Sequence, residues 1–476
     1  MKILGQLHAR KQYETLPKKS ARPGGKAFVG LIGCGNFAFT TIGYFLRKRF
    51  GRVIASCIDV DINRAASMSS YYKIPNYTTC AADVINDDKV QMLYIASYHS
   101  SHAEYAIQAL QKGKHVYIEK PHVVSKEQLV RLVNTMETTK SKVFLGFNRP
   151  FSRFGETIRN YLDKETGPGI YNWFIAGHDL EPDHWYHRKE EGGRILGNLC
   201  HWTDFVLRLV PVAEAFPIKI IPARAEKSDT DVAVSFVFND STVAVISFSA
   251  KGHAFEGVKE RFTAYKGNTM IAMDDFKTME INVIDKKKKY VNFYRDHGHS
   301  KSIVTAAENV LEDMPYNRET SIAHIWNTGL LFLETKRALE MQETIIIHSY
   351  DDYKSKQHGK MPEADLLNQE DESIITSDGL QIPSVNFYSM FREIPAVQRF
   401  QLIQWNLNEV EIRVKSQNLD ADEKDQILNE LKLRLGKRMK IKLTINKEFE
   451  RNSEGKRRPV ISHVRIGERI ETSSSV

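Results

Sequence analysis

The chain has 476 residues, 42% hydrophobic and 26% charged, a composition typical of soluble globular proteins that excludes a disordered chain. That length exceeds one ordinary core, so two or three domains are expected. The net charge of +8 invites an anionic partner, but Lys and Arg are dispersed and accompany no nucleic-acid motif, so no nucleic acid is expected.

Residues 1–26 read as a polar N-terminal arm that is basic but lacks the apolar stretch of a signal peptide. No run approaches the roughly 18 apolar residues of a spanning helix, so no membrane insertion and a cytoplasmic location are expected. Cys34, Cys57, Cys80 and Cys200 form no C-x-x-C pair and no cluster with histidine. They read as reduced, buried thiols, and no metal is expected.

From Ala27 the chain reads AFVGLIGCGNFAFTTIGYFLRKRF. An apolar strand, Phe28 to Ile32, runs into Gly33-Cys34-Gly35-Asn36-Phe37-Ala38 and then into helical apolar spacing at Ile42, Phe45 and Leu46. In that context G-x-G-x-x-A has physical meaning. Gly33 permits the tight turn, Gly35 lets the backbone approach a pyrophosphate, and Ala38 lets helix and strand pack closely. The helix N-terminus then faces the phosphates. A second strand, VIASCID, ends at Asp59, 21 residues beyond Ala38, where a carboxylate accepts from ribose hydroxyls and repels a 2′-phosphate. NAD is favoured over NADP, although Arg64 nearby is a residue type that accommodates the phosphate.

Alternation continues through QMLYIAS, SHAEYAIQALQKG and HVYIEKP, then SKEQLVRLVNTMETT, with Ser125 as N-cap and Gln128 completing a capping-box pattern, and KVFLGFN. Regular βα alternation over 27–148 predicts an open parallel sheet with right-handed crossovers. Tyr98 and His102 fall at the carboxyl end of a strand, where such sheets bind ligands.

The segment Tyr117-Ile-Glu119-Lys120-Pro121 resembles the E-K-P motif of the glucose–fructose oxidoreductase, inositol dehydrogenase and MocA (Gfo/Idh/MocA) family. GLIGCGNFA, HAEYAIQALQKGKHVYIEKP, GFNRPFS, GGRILGNLCHWTDF and KERFTAYKGNTMIAMDDF match in order, so the resemblance spans roughly residues 27 to 345. It implies an NAD-dependent dehydrogenase acting on a CH–OH group of a sugar or sugar nucleotide. The cofactor site would comprise Gly33, Gly35, Asn36, Phe37, Ala38, Asp59, Tyr98, His102, Glu119 and Lys120. Lys120 would point at substrate and nicotinamide, with Pro121 following a cis peptide, and His201 would be the candidate base. In the family an aspartate commonly precedes that histidine by four residues; here the position is Gly197, beside Asn198. Asp204, Asp179, Glu181 and Asp183 are the acids that could substitute. In HDLEPDHWYH the spacing of His178, His184 and His187 matches no standard metal-ligand set. The segment reads instead as a pocket lining with Trp185 and Tyr186. Arg149, Asp183, His184, Trp185, Asn198 and His201 are the expected substrate contacts.

Residues 149–349 form the expected substrate and oligomerisation domain. Strand-like alternation runs from 211 to 300, Asn239-Asp240 reads as a hairpin turn, and the Lys286 to Lys289 run as a solvated turn. A helix over 321–341 closes the unit, and the resemblance implies a largely antiparallel open sheet and a homo-oligomer. Residues 350–370 read as a polar linker. In 371–476, VQRFQLIQW, VEIRV, ADEKDQILNELKLRL stopped by Gly436, and MKIKLTI give the order β-β-α-β. This part is similar to the C-terminal subdomain of phenylacetate–CoA ligase-like (CapK-like) adenylate-forming enzymes, on SDGLQIP, IPAVQRFQLIQ and SEGKRRPVIS. Its motif lysine would be Lys456, and an adenylate-forming ligase is the partner it suggests. The expected fold class is α/β: a Rossmann doubly wound sheet, an α+β substrate domain, and a small α+β C-terminal domain. The leading reading is a sugar dehydrogenase, with surface polysaccharide synthesis as its suggested setting. The alternatives are a catalytically impaired, cofactor-bound interaction protein, or a tail that complements a separate ligase.

Overall fold

The computed structural model describes residues 2–19, 27–181, 183–224, 230–252 and 257–358, and in the last quarter 373–376, 381–383, 387, 391, 394, 396–416, 418–436, 439–450 and 460–464. Lys456 lies outside the described residues.

The arm is not featureless. A helix, α1 (Lys2–Ala9), packs on the parallel-sheet domain and buries His8. Then come β1 (Val29–Ile32), a π-helical turn Ala38–Ile42 running straight into α2 (Gly43–Phe50), β2 (Ile54–Ile58), α3 (Ile62–Tyr72), β3 (Asn76–Thr78), α4 (Ala81–Ile85), β4 (Met92–Ile95), α5 (His99–Gln111), β5 (His115–Ile118), α6 (Lys126–Thr138) and β6 (Val143–Leu145). The strands form one parallel sheet in the order β3-β2-β1-β4-β5-β6, the doubly wound arrangement with its switch point between β1 and β4. Every residue of β1, β2 and β4 is buried because helices cover both faces, which is why these strands read as unbroken apolar runs. Ser125 caps α6 as expected, accepting from the Gln128 N–H. The Gln128 side chain, however, accepts from Val124 rather than closing the box on Ser125.

The second unit begins with α7 (Arg153–Leu162) and β7 (Gly169–Ala176), then α8 (Cys200–Leu207), α9 (Val212–Ala215), β8 (Ile218–Arg224), β9 (Asp231–Val237), β10 (Val243–Ser249), β11 (Lys259–Lys266), β12 (Thr269–Asp274), β13 (Thr278–Val283) and β14 (Lys286–Val291). It ends with α10 (His299–Leu311), α11 (Arg318–Met341), β15 (Ile345–Ile347) and α12 (Tyr350–His358). Nine strands make a mixed, mostly antiparallel sheet in the order β14-β13-β12-β11-β7-β10-β9-β8-β15, with β7 and β10 the parallel pair. Burial alternates strictly along β9 and β10, so one face of the sheet holds the core and the other is left open. Two readings are corrected here. Lys286 to Lys289 form edge strand β14 rather than a turn, since each lysine pairs across to β13. The start of the expected linker is helix α12, anchored where Tyr350 and Tyr353 pack on Trp326.

The two units interlock. Helix α10 lies on the parallel sheet, where Tyr94 donates to the Ile303 carbonyl (2.7 Å) and Tyr117 pairs with Ser302 (3.0 Å). One apolar core runs from β4 and α6 through α8 to the nine-stranded sheet and includes the fully buried Trp173, Trp202 and Trp326. Each such side chain contributes on the order of 2–3 kcal/mol by its burial.

The last unit pairs β16 (Ser373–Ile375) with β17 (Gln381–Pro383) and sets β18 (Arg399–Asn406), β19 (Glu409–Lys415), helix α13 (Ala421–Leu435), β20 (Lys440–Ile445) and β21 (Val460–Ser462) in a four-stranded sheet ordered β20-β19-β18-β21. A full capping box, Asp420 with Glu423, starts α13, and Gly436 at φ +88° ends it. Ala82 of α4 belongs to the apolar cluster of this unit, so the tail is docked on the parallel-sheet domain.

Candidate active site

A cavity of about 780 Å³ opens at the carboxyl ends of β1, β4 and β5 and extends under the segment before α8. At one end lies the glycine turn. Gly33 has φ +88°, and a Cβ there would stand 2.4 Å from the Ala96 carbonyl oxygen; at Gly35 a Cβ would meet nothing within 4 Å. The first glycine is thus required by the fold, whereas the second keeps space open on the cavity side, which fits a dinucleotide pyrophosphate. Asp59, almost fully buried, accepts from the Cys34 N–H (2.7 Å) and the Asp61 N–H (2.9 Å). Burial raises its pKa against the pull of those N–H groups and of Arg64. Arg64 also lines the cavity and lies 3.4 Å from Asp61.

At the other end sit the groups suited to chemistry. The Lys120–Pro121 peptide is cis. The Lys120 ammonium donates to the Gly197 carbonyl at 2.7 Å and lies 3.5 Å from the Tyr186 hydroxyl. Burial works against its charge, but Tyr186, Cys200 and Glu119 prevail and raise its pKa above the ordinary value. Burial pushes Glu119 up to about 7, and its Oε1 is buried with no hydrogen-bond partner among the described residues. His102 is held between the Pro121 and Ser97 carbonyls (2.8 and 3.1 Å), and burial lowers it to about 4. His201, on α8, is buried with Nδ1 unpartnered among the described residues. Burial first, then Arg149 and Lys120, hold its pKa well below the usual histidine value, so the ring is neutral. Arg149 makes a two-pronged pair with Glu260 (both 2.7 Å), to which Trp202 also donates (2.6 Å). The pair is buried, and both Glu260 oxygens accept hydrogen bonds, the condition under which such charges are tolerated.

Most expected site residues therefore converge: Gly33, Gly35, Asn36, Phe37, Asp59, Tyr98, His102, Glu119, Lys120, Arg149, His184, Trp185, Asn198 and His201 all line the cavity. Ala38 lies behind it, buried in the helix–strand contact. Asp183 is exposed and does not line the cavity. Asp204 is no stand-in for the absent aspartate, because it turns into the core to meet Arg208 (2.8 Å), His324 (3.0 Å) and Thr328 (3.1 Å). Sequence reasoning missed His8, His99, Glu191, Arg194 and His299. His99 had a signal, one turn before His102 on the same helix face; His8 had none, since nothing local distinguishes a buried histidine in a polar arm.

Residues 28–147 match the model of an oxidoreductase family with an NAD-binding Rossmann fold (Gfo/Idh/MocA), and residues 374–463 match the CapK C-terminal domain. The N-terminal domain is a Gfo/Idh/MocA Rossmann domain. Among curated proteins similar to the chain is an oxidoreductase of Formosa agariphila, 31% identical over 137 residues, which are 29% of this chain and 43% of that protein. The match thus spans less than half the length of that relative. Myo-inositol 2-dehydrogenase of Thermotoga maritima is 22% identical over 335 residues, 67% of this chain and 99% of its own. Among solved structures, a levoglucosan dehydrogenase in complex with NADH and levoglucosan superposes with a TM-score of 0.59 at 15% identity, covering 67% of this chain and 98% of that one. This last likeness extends the shared fold of the Gfo/Idh/MocA domain into the nine-stranded sheet.

Proposed function

We propose that the protein is an NAD-dependent dehydrogenase that oxidises a secondary hydroxyl of a sugar, polyol or sugar nucleotide. The observation that carries this reading is the meeting of Lys120 and a neutral His201 in one cavity with the open glycine turn. The polyol and sugar substrates named for the Thermotoga maritima relative and the levoglucosan dehydrogenase support the substrate class. When bound, NAD supplies the hydride acceptor, held by the Gly33–Ala38 turn with Asp59 on the adenosine ribose. Lys120 donates to the substrate oxygen and stabilises the charge that develops there as its proton leaves. His201 presents a neutral imidazole to the substrate, and His184 and Trp185 wall the cavity. The CapK C-terminal domain favours a role in surface polysaccharide synthesis. Buried thiols at Cys34, Cys57 and Cys200 suit the cytoplasm, and the open sheet face suits pairing with a second copy.

Mixing the protein with NAD and a panel of inositols, free sugars and sugar nucleotides tests the reading. Reduced-nicotinamide absorbance should appear with a member of the panel and fall about 100-fold or more in Lys120→Ala and His201→Ala. Absence of reduction across a panel that binds, with NAD also bound, would sink it.

A further inference from the structure

Lys120 and Tyr186 meet where the chain departs from the family pattern, at Gly197. A Cβ built on Gly197 would come within 2.4 Å of Tyr186 Cε2 and 2.8 Å of His99 Cε1. The space a side chain at 197 would take is already filled by the Tyr186 ring. That ring is wedged among His99, His184 and Trp185, with centroids at 4.8, 4.9 and 4.5 Å. Its hydroxyl is 3.5 Å from the Lys120 Nζ that also donates to the Gly197 carbonyl. A side chain at 197 and the Tyr186 ring therefore exclude one another from this space. We infer that Tyr186 is a catalytic residue that replaces the missing carboxylate: its hydroxyl meets the substrate oxygen held by Lys120 and carries that oxygen's proton.

The chemistry needs such a group. Lys120 is a charged donor and does not accept a proton at neutral pH. His201 is neutral and can accept a hydrogen bond from the substrate, but burial and Arg149 disfavour the cation it would become on keeping the proton. The Tyr186 hydroxyl is different, because it accepts through its oxygen and donates through its proton, and so can take one proton while passing on another. In the balanced step, the C–H bond breaks with its electron pair passing to oxidised nicotinamide, and the O–H bond breaks with its proton passing to the Tyr186 oxygen. A carbonyl forms, and the Tyr186 oxygen passes its own proton to water as it takes the substrate's, so the hydroxyl ends the step as it began it.

The inference rests on the dehydrogenase reading, so its test has two arms. In the first, Tyr186→Phe keeps the ring in the gap and removes only the oxygen. Turnover should fall about 100-fold while the melting temperature holds. Gly197→Asp combined with Tyr186→Ala, which places a carboxylate in the vacated space, should recover part of the activity that Tyr186→Ala loses. The second arm needs no substrate: the pH dependence of Lys120 acylation by acetic anhydride, read by mass spectrometry. Lys120 is faced by Tyr186, Glu119, Cys200, His99, His102 and His201, with His299 beyond. Tyr186→Phe removes one of the groups that hold its proton, so labelling should begin at lower pH. Full turnover in Tyr186→Phe overturns the inference and leaves the dehydrogenase standing. If the wild type reduces no NAD, the dehydrogenase reading fails separately, and an unshifted labelling curve then overturns the Lys120–Tyr186 coupling as well.

Discussion

Gly33 and Gly35 belong to one motif yet are glycine for different reasons. At Gly33 the backbone is left-handed and the Ala96 carbonyl blocks any Cβ; at Gly35 the space is free. Gly33→Ala should therefore cost about 1–3 kcal/mol of stability, seen as a lower melting temperature. Gly35→Val should melt like the wild type but bind NADH about tenfold or more weakly by fluorescence titration. If Gly35→Val bound NADH normally, the turn would not be the pyrophosphate cradle. The residue scale is also where the motif was most legible, because Gly33, Gly35, Asp59 and Lys120 sit at fixed offsets within single strands and turns. Tyr186 was legible only as a pocket aromatic; its place beside Lys120 depends on a fold bringing residues 66 positions apart together.

Among the elements, α1 departs most from its sequence pattern. His8 stacks on Phe39 (4.0 Å), its Nε2 meets the Cys34 carbonyl inside the glycine motif (2.6 Å), and its Nδ1 meets Ser67 of α3 (2.9 Å). Burial lowers the pKa of His8, although the Cys34 carbonyl opposes this. A histidine whose folded pKa lies below its unfolded value of about 6.5 stabilises the docked state above that pH and loses the contribution as pH falls through it. Trypsin cleavage at Arg10 and Lys11, taken relative to cleavage of a free peptide of the same sequence at the same pH, should accordingly quicken on acidification from about pH 7.5 to about pH 5.5. In His8→Leu it should be fast at both. A rate independent of pH in the wild type would show that His8 does not hold the helix.

Over the whole molecule the open face of the nine-stranded sheet carries its own prediction. Ile170, Tyr265 and Met270 lie side by side in register across β7, β11 and β12, each about half exposed, with Phe174 two rows along the same face. Apolar rows of this kind on a sheet face mark an association surface. The full chain should sediment as a dimer or larger, and Phe174→Glu with Tyr265→Glu should shift it toward monomer; a monomeric wild type would exclude the pairing. The tail is part of the same body, through Ala82 in its apolar cluster.

What the sequence determined on its own was everything written in local periodicity and fixed spacing. The parallel sheet shows in unbroken apolar runs between helices, the cofactor turn in its glycines, and the tail in its β-β-α-β order. These patterns are set by backbone geometry within a few residues, so no distant contact is needed to read them. Tertiary structure alone decided which groups share the cavity. It turned Asp204 inward to Arg208 and His324, left Asp183 outside, drew His8 over the glycine turn, and set Tyr186 into the gap at Gly197. Those outcomes depend on burial and on space between distant segments, quantities that exist only once the chain has closed on itself.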